Sequence, residues 1–133
     1  MKWDSIRDRV APLISFEESG YFSKDTENYW SAKSLYEQAK KEKARAYKFP
    51  LEHFDFTIKV YEHTERLTDL AYHFRRIMNA DCSIPIIVSP LGDVLDGYHR
   101  ILKAVVTRET VYAYRLKEMP PANIHPNPDK EEE

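Results

Sequence analysis

The chain has 133 residues, 42% of them hydrophobic and 32% charged, with a formal net charge of −2. This fits one domain with a modest core and supplies no global basic field for nucleic acid. One cysteine, no apolar run of membrane-spanning length and no signal-peptide core after Met1-Lys2-Trp3-Asp4 exclude an internal disulfide, a thiolate zinc site and a spanning helix, and predict a cytoplasmic protein in a reducing compartment, without membrane contact.

Residues 5–14 read as one short helix broken by Pro12, and Gly20 marks a turn. Residues 26–45 carry Ala32, Leu35, Tyr36 and Ala39 at helical spacing. The end of that helix, residues 40–45, is mostly charged, which suits a solvated C-terminus or a nucleic-acid contact. Leu51, Phe54 and Phe56 predict a strand or extended segment, continued by residues 57–61. Thr64 is the expected N-cap of the next helix, with Glu65 in its first turn. Leu67, Leu70, Ala71, Phe74, Ile77 and Met78 follow at steps of three and four, the cleanest amphipathic pattern in the chain, and Asn79 ends it.

Residues 84–88, Ile-Pro-Ile-Ile-Val, predict a buried strand. Ser89-Pro90-Leu91-Gly92 has the composition of a type I turn, and residues 93–95 return as a second strand. A helix over residues 97–108 is expected to bury Ile101, Leu102 and Val105. Residues 110–116 alternate as a half-buried strand. Pro120-Pro121 should end the fold, leaving a disordered acidic tail.

The stretch Asp96-Gly97-Tyr98-His99-Arg100 lies where that strand meets the helix. A helix start leaves backbone N–H groups unpaired, and these donors with the helix dipole favour an anion. Gly97 lets a ligand approach the backbone closely. Positive side chains in a first turn oppose the dipole, a local conflict that an incoming phosphate would relieve. Arg100 would clamp the phosphate, and His99 would donate a hydrogen bond or move a proton. The structural alternatives are an Asp96 N-cap, a tight turn at Gly97, and an Arg100 paired with Asp93 or Asp96.

This order of elements resembles the ParB/sulfiredoxin fold. Pro50-Leu51-Glu52-His53-Phe54 resembles the first strand of ParB N-terminal domains. Residues 84–91 resemble their strand of pattern Pro-Ile-hydrophobic-Val-x-Pro. Asp96-Gly97-Tyr98-His99-Arg100, with Ala104, resembles their Gly-x-x-Arg box. The resemblance covers residues 47–117 and implies an α+β domain: a small mixed sheet flanked by helices, over residues 46–118, with a helical N-terminal extension (1–45) and an acidic tail (119–133). It also implies a nucleotide-binding protein with Gly97, Tyr98, His99 and Arg100 on the phosphates. Members of the fold hydrolyse CTP or ATP, transfer phosphate, or act as nucleases.

By that resemblance the cofactor is a nucleoside triphosphate with Mg²⁺. Asp96, His99 and Glu62 would be its catalytic groups, and Asp96 and Glu62 its metal ligands. Tyr98 stands where sulfiredoxins carry their catalytic cysteine, which argues against that activity. The ParB arginine-containing first box is absent and no helix-turn-helix follows, so a short stand-alone member, of the kind phages and mobile elements carry, fits better than a partition protein. The alternatives are a DNA-binding protein or nuclease using the same turn, and a non-enzymatic module with a protein partner on its N-terminal extension.

Overall fold

A computed structural model describes residues 20–22, 28–58 and 66–123. The helix expected at 5–14, the candidate ligand Glu62, the expected cap Thr64 and all of the acidic tail after Asn123 lie outside these residues.

The described chain forms two strands, β1 (Gly20–Phe22) and β2 (Tyr29–Ser31), then helix α1 (Ala32–Lys41) and strand β3 (Tyr47–Lys48). A single 3₁₀ turn (Leu51–His53) precedes helix α2 (Leu67–Asn79). Strands β4 (Ile86–Val88) and β5 (Val94–Asp96), helix α3 (Tyr98–Thr107) and strand β6 (Tyr112–Arg115) complete it. The main sheet is mixed, in the order β3-β6-β4-β5: β4 runs parallel to β6, and the other pairs are antiparallel. The α+β class with a small mixed sheet is therefore as expected.

Period-two alternation sorts the sheet residues onto two cores. Ile86, Val88, Val94, Val111 and Ala113 point one way and pack with Ile101 and Ala104 of α3. Ile87, Leu95 and Leu116 point the other way and pack with Trp30 and with Leu35 and Ala39 of α1. A register shift between Ile87 and Val88 accompanies the β4–β5 pairing. Helices α1 and α3 thus cover opposite faces, and residues 29–39 supply Trp30, Leu35 and Ala39 to the second of the two cores.

Four local expectations need correction. The helix predicted from residue 26 begins only at Ala32. Ser31 holds an extended backbone and its hydroxyl accepts from the Ser34 N–H, capping the helix, while Tyr29 and Trp30 pair with β1 as strand. Gly20 belongs to that strand pair rather than to a turn. Leu51 is no strand residue. Pro50 has no N–H for a ladder, and the chain curls so that His53 N–H bonds the Pro50 carbonyl; the strand is the preceding Tyr47–Lys48. In α3 the buried side chains are Ile101 and Ala104, whereas Val105 is 49% exposed.

The chain also continues to pack beyond Pro120. Trp30 Nε1 donates to the Pro120 carbonyl at 2.7 Å, and Asn123 bridges to Tyr29 and Ser31 through its backbone N–H and side-chain oxygen. Helix α2 lies against α3, and none of its residues is fully buried. Lys103 of α3 holds the C-terminal end of α2, donating to the Met78 and Ala80 carbonyls at 3.2 and 2.6 Å. Among the described residues no helix is long and apolar enough to cross a membrane.

Candidate functional site at the start of helix α3

The Asp96-Gly97 turn forms as the sequence predicts, but each residue in it has a definite structural task. Gly97 is the N-cap of α3, with φ +128°, and Ile101 N–H bonds its carbonyl at 3.0 Å. A Cβ at Gly97 would lie 2.2 Å from Ile86 Cγ2 and 2.6 Å from Ile86 Cβ. Glycine is therefore required by the backbone angle and by the packing of β4. The space above its missing Cβ belongs to Ile86 and not to a ligand.

Tyr98 turns back toward the core. It packs on the α3-side cluster beside Phe54, with ring centroids 6.5 Å apart. It is not among the residues that line the cavity described below.

Arg100 is engaged by four acceptors. Its Nη2 donates to Asp96 Oδ2 at 2.6 Å. Its Nη1 donates to Tyr36 Oη at 2.5 Å, to the Pro85 carbonyl at 2.8 Å and to the Ile84 carbonyl at 3.0 Å. Tyr36 Oη in turn donates to the Pro85 carbonyl at 2.6 Å, and burial, partly opposed by Arg100, pushes its pKa up to about 12. Both charged side chains of the Asp96–Arg100 pair are nearly sequestered, at 13% and 14% exposure. This cluster ties α1 to the β4 strand and the α3 start. Of the structural alternatives, Arg100 realises the Asp96 pairing, and it is first of all a cross-brace.

His99 stands on the open side of the turn. Its Nε2 lies 2.9 Å from Nδ1 of His73 on α2. Loss of solvent lowers the His99 pKa to about 4, with Arg76, His73 and Arg100 adding to the effect. His73 is lowered in the same direction, first by loss of solvent. His99 is thus neutral near pH 7 and adds no positive charge to the first turn of α3, contrary to the expected clash with the dipole.

Between α2 and the start of α3 lies a cavity of about 280 Å³, lined by Arg75, Arg76, Asn79, Ala80, Asp96, Gly97, His99 and Arg100. Three arginines and one aspartate are among its lining residues, and the Asp96 carboxylate is already paired with Arg100. The helix start and the arginines favour an anion in the same place. Arg75, Arg76, Asn79 and His73 carried no signal in the sequence, because arginines near a helix C-terminus are ordinary.

Among the described residues no three His, Cys, Asp or Glu come together to hold a metal ion. Among the described residues Asp96 is the one carboxylate lining the cavity, and Arg100 engages it. The described residues here suit a phosphate and bring no second carboxylate beside Asp96 for Mg²⁺. The cavity lies at the small end of ligand pockets, which run from roughly 300 Å³ upward. It is ample for a phosphate group.

No protein-family model, curated protein or solved structure matches this chain.

Proposed function

We propose that this chain binds a phosphorylated ligand, foremost a nucleotide, by seating its phosphate in the cavity between α2 and the start of α3. The convergence of Arg75 and Arg76 on the N-terminus of α3 carries this reading. Backbone donors of the first helical turn would meet the phosphate oxygens, and the guanidiniums would balance their charge. Neutral His99 would donate one hydrogen bond while its other polar contact, His73, fixes the ring. Arg100 would act mainly by holding Gly97 and Asp96 in place. The resemblance of residues 96–100 to the Gly-x-x-Arg box of ParB/sulfiredoxin-like proteins supports the same ligand class.

Binding is better supported than turnover. Phosphate transfer needs a base or a metal beside the phosphate, and among the described residues the one carboxylate lining the cavity is engaged by Arg100. A fluorescent nucleotide titrated into wild type should saturate and be competed off by inorganic phosphate. Arg76→Ala should weaken that binding by about tenfold or more, as expected for loss of one charge-assisted contact. Equal affinity of wild type, Arg75→Ala and Arg76→Ala would remove the cavity from the account.

A second reading has one observation in its favour. The apolar side chains of α2 are turned to solvent, which suits a protein-interaction module.

A further inference from the structure

Helix α2 meets the start of α3 through two histidines. Nδ1 of His73 lies 2.9 Å from Nε2 of His99, and the rings stack with centroids 5.2 Å apart at an interplanar angle of 23°. Tyr72 packs edge-on against His73. His99 also lines the cavity, beside Arg75 and Arg76. The pair is thus both a joint between the two helices and part of the cavity wall.

This contact limits how many protons the pair can hold. A neutral imidazole carries one N–H and one bare ring nitrogen. One ring therefore donates, the other accepts, and one proton lies between them. A single further proton can join the pair at a nitrogen outside the contact and leave the contact intact. A second would set two N–H groups face to face at 2.9 Å and break it. The pair accommodates one positive charge and not two.

The surroundings decide when that charge is taken. Among the described residues, the charged groups acting on the pair are Asp69 and Arg76 of α2 and Arg100 of α3, with Arg75 and Asp96 on the same cavity. Asp69 pairs with Arg66 and Asp96 with Arg100, so the cations prevail and keep both histidines neutral near pH 7. An anion seated among Arg75, Arg76 and His99 reverses that balance, because a nearby opposite charge favours the charged imidazole. Resting on the phosphate reading above, we propose that anion binding in this cavity is proton-linked: the His73–His99 pair takes up one proton as the anion seats, so affinity rises as pH falls. The coupling is reciprocal, since whatever makes the pair easier to protonate must also hold the anion more tightly. Mild acid would load the site, and a return above neutral pH would loosen it.

The probe is sulfate, a tetrahedral dianion whose charge, unlike that of a phosphate group with a second pKa near 6, is constant from about pH 5.5 to about 7.5. Isothermal titration calorimetry in two buffers of different ionisation enthalpy reads affinity and proton uptake together. Wild type should take up roughly 0.5–1 proton near pH 6, and its Kd should fall about tenfold between pH 7.5 and 5.5. The double variant His73→Gln/His99→Gln should bind sulfate with one affinity at both pH values and take up no proton. The wild-type proton count stands whether or not that variant folds. Zero uptake by wild type, or uptake that survives the double substitution, overturns the proposal. Sulfate bound equally at both pH values does so while leaving the cavity an anion site. Absence of sulfate binding at either pH overturns it too, and the nucleotide titration above then judges the phosphate reading separately.

Discussion

Replacing Gly97 by alanine should be among the most damaging single-methyl additions in this protein, and its cost divides into two parts. The first is conformational: a φ of +128° is a region L-residues rarely adopt, worth about 1–3 kcal/mol. The second is steric. The added Cβ would sit 2.2 Å from Ile86 Cγ2 and 3.4 Å from Ile86 Cα. Ile86 is fully buried in the centre of the sheet, so it cannot swing aside without disturbing Val88, Val94 and Ala113. Overpacking of this kind costs about 1–3 kcal/mol more. The expected total is about 2–6 kcal/mol, a large share of the roughly 5–15 kcal/mol that holds a domain together.

Gly92 separates the two parts. Its φ is +99°, but nothing lies within 4 Å of the position its Cβ would take. Gly92→Ala should therefore lose only the conformational share, about 1–3 kcal/mol. Urea unfolding followed by tryptophan fluorescence measures both variants, with the midpoint shift converted through an unchanged m-value. If Gly97→Ala costs no more than Gly92→Ala, the contact with Ile86 is not what demands glycine at the turn.

Three further outcomes follow from the same geometry. Arg100→Ala strands the buried Asp96 carboxylate and should cost about 3–5 kcal/mol by urea unfolding, and Asp96→Asn in the same background should recover part of it; additivity of the two would contradict a direct pair. Tyr36→Phe removes the hydroxyl between Arg100 and the Pro85 carbonyl and should cost about 1–3 kcal/mol by the same assay. The His99 imidazole takes its proton near pH 6.5 when unfolded but only near 4 when folded, so the unfolded state binds more protons in that window and stability falls as pH drops from 6.5 toward 4. The full gap corresponds to about 3 kcal/mol, which partial solvent access reduces to about 1–2; His99→Gln should flatten the melting temperature over that range, and an unchanged slope would refute the assignment.

How legible this was differs by element. The β-branched run ending at Val88, the Ser89–Gly92 turn and the helix after Gly97 follow from local chemistry that tertiary contacts leave in force. The strand at Tyr29–Ser31 was hidden because its aromatic residues continue a helical spacing and its partner strand begins at a glycine that reads as a turn. The 3₁₀ turn at Leu51 was hidden because Leu51, Phe54 and Phe56 are large apolar residues of the kind an extended segment carries. The orientation of α2 defeats sequence reading more deeply. Its pattern predicts an inward apolar face, but the pairing of His73 with His99 and the exposure of Leu67, Phe74 and Met78 show that the polar face is the inner one. At the turn, the residue types pointed to the start of α3, but what its charged groups do there depends on tertiary partners. Arg100 is used up as a brace, His99 is neutral, and the positive charge beside the helix start comes from Arg75 and Arg76, more than twenty residues earlier.

The most direct test of phosphate binding is a thermal-shift panel of ATP, GTP, CTP, UTP and inorganic phosphate on wild type, Arg76→Ala and Phe74→Glu. A ligand that binds only the folded chain at a hundred times its Kd adds about 2.7 kcal/mol of stability, a rise on the order of 10 °C for a domain of this size. The account predicts such a rise for wild type and Phe74→Glu with at least one of these phosphates, and little or none for Arg76→Ala. No shift in wild type with any of them, or the same shift in Arg76→Ala, would contradict it.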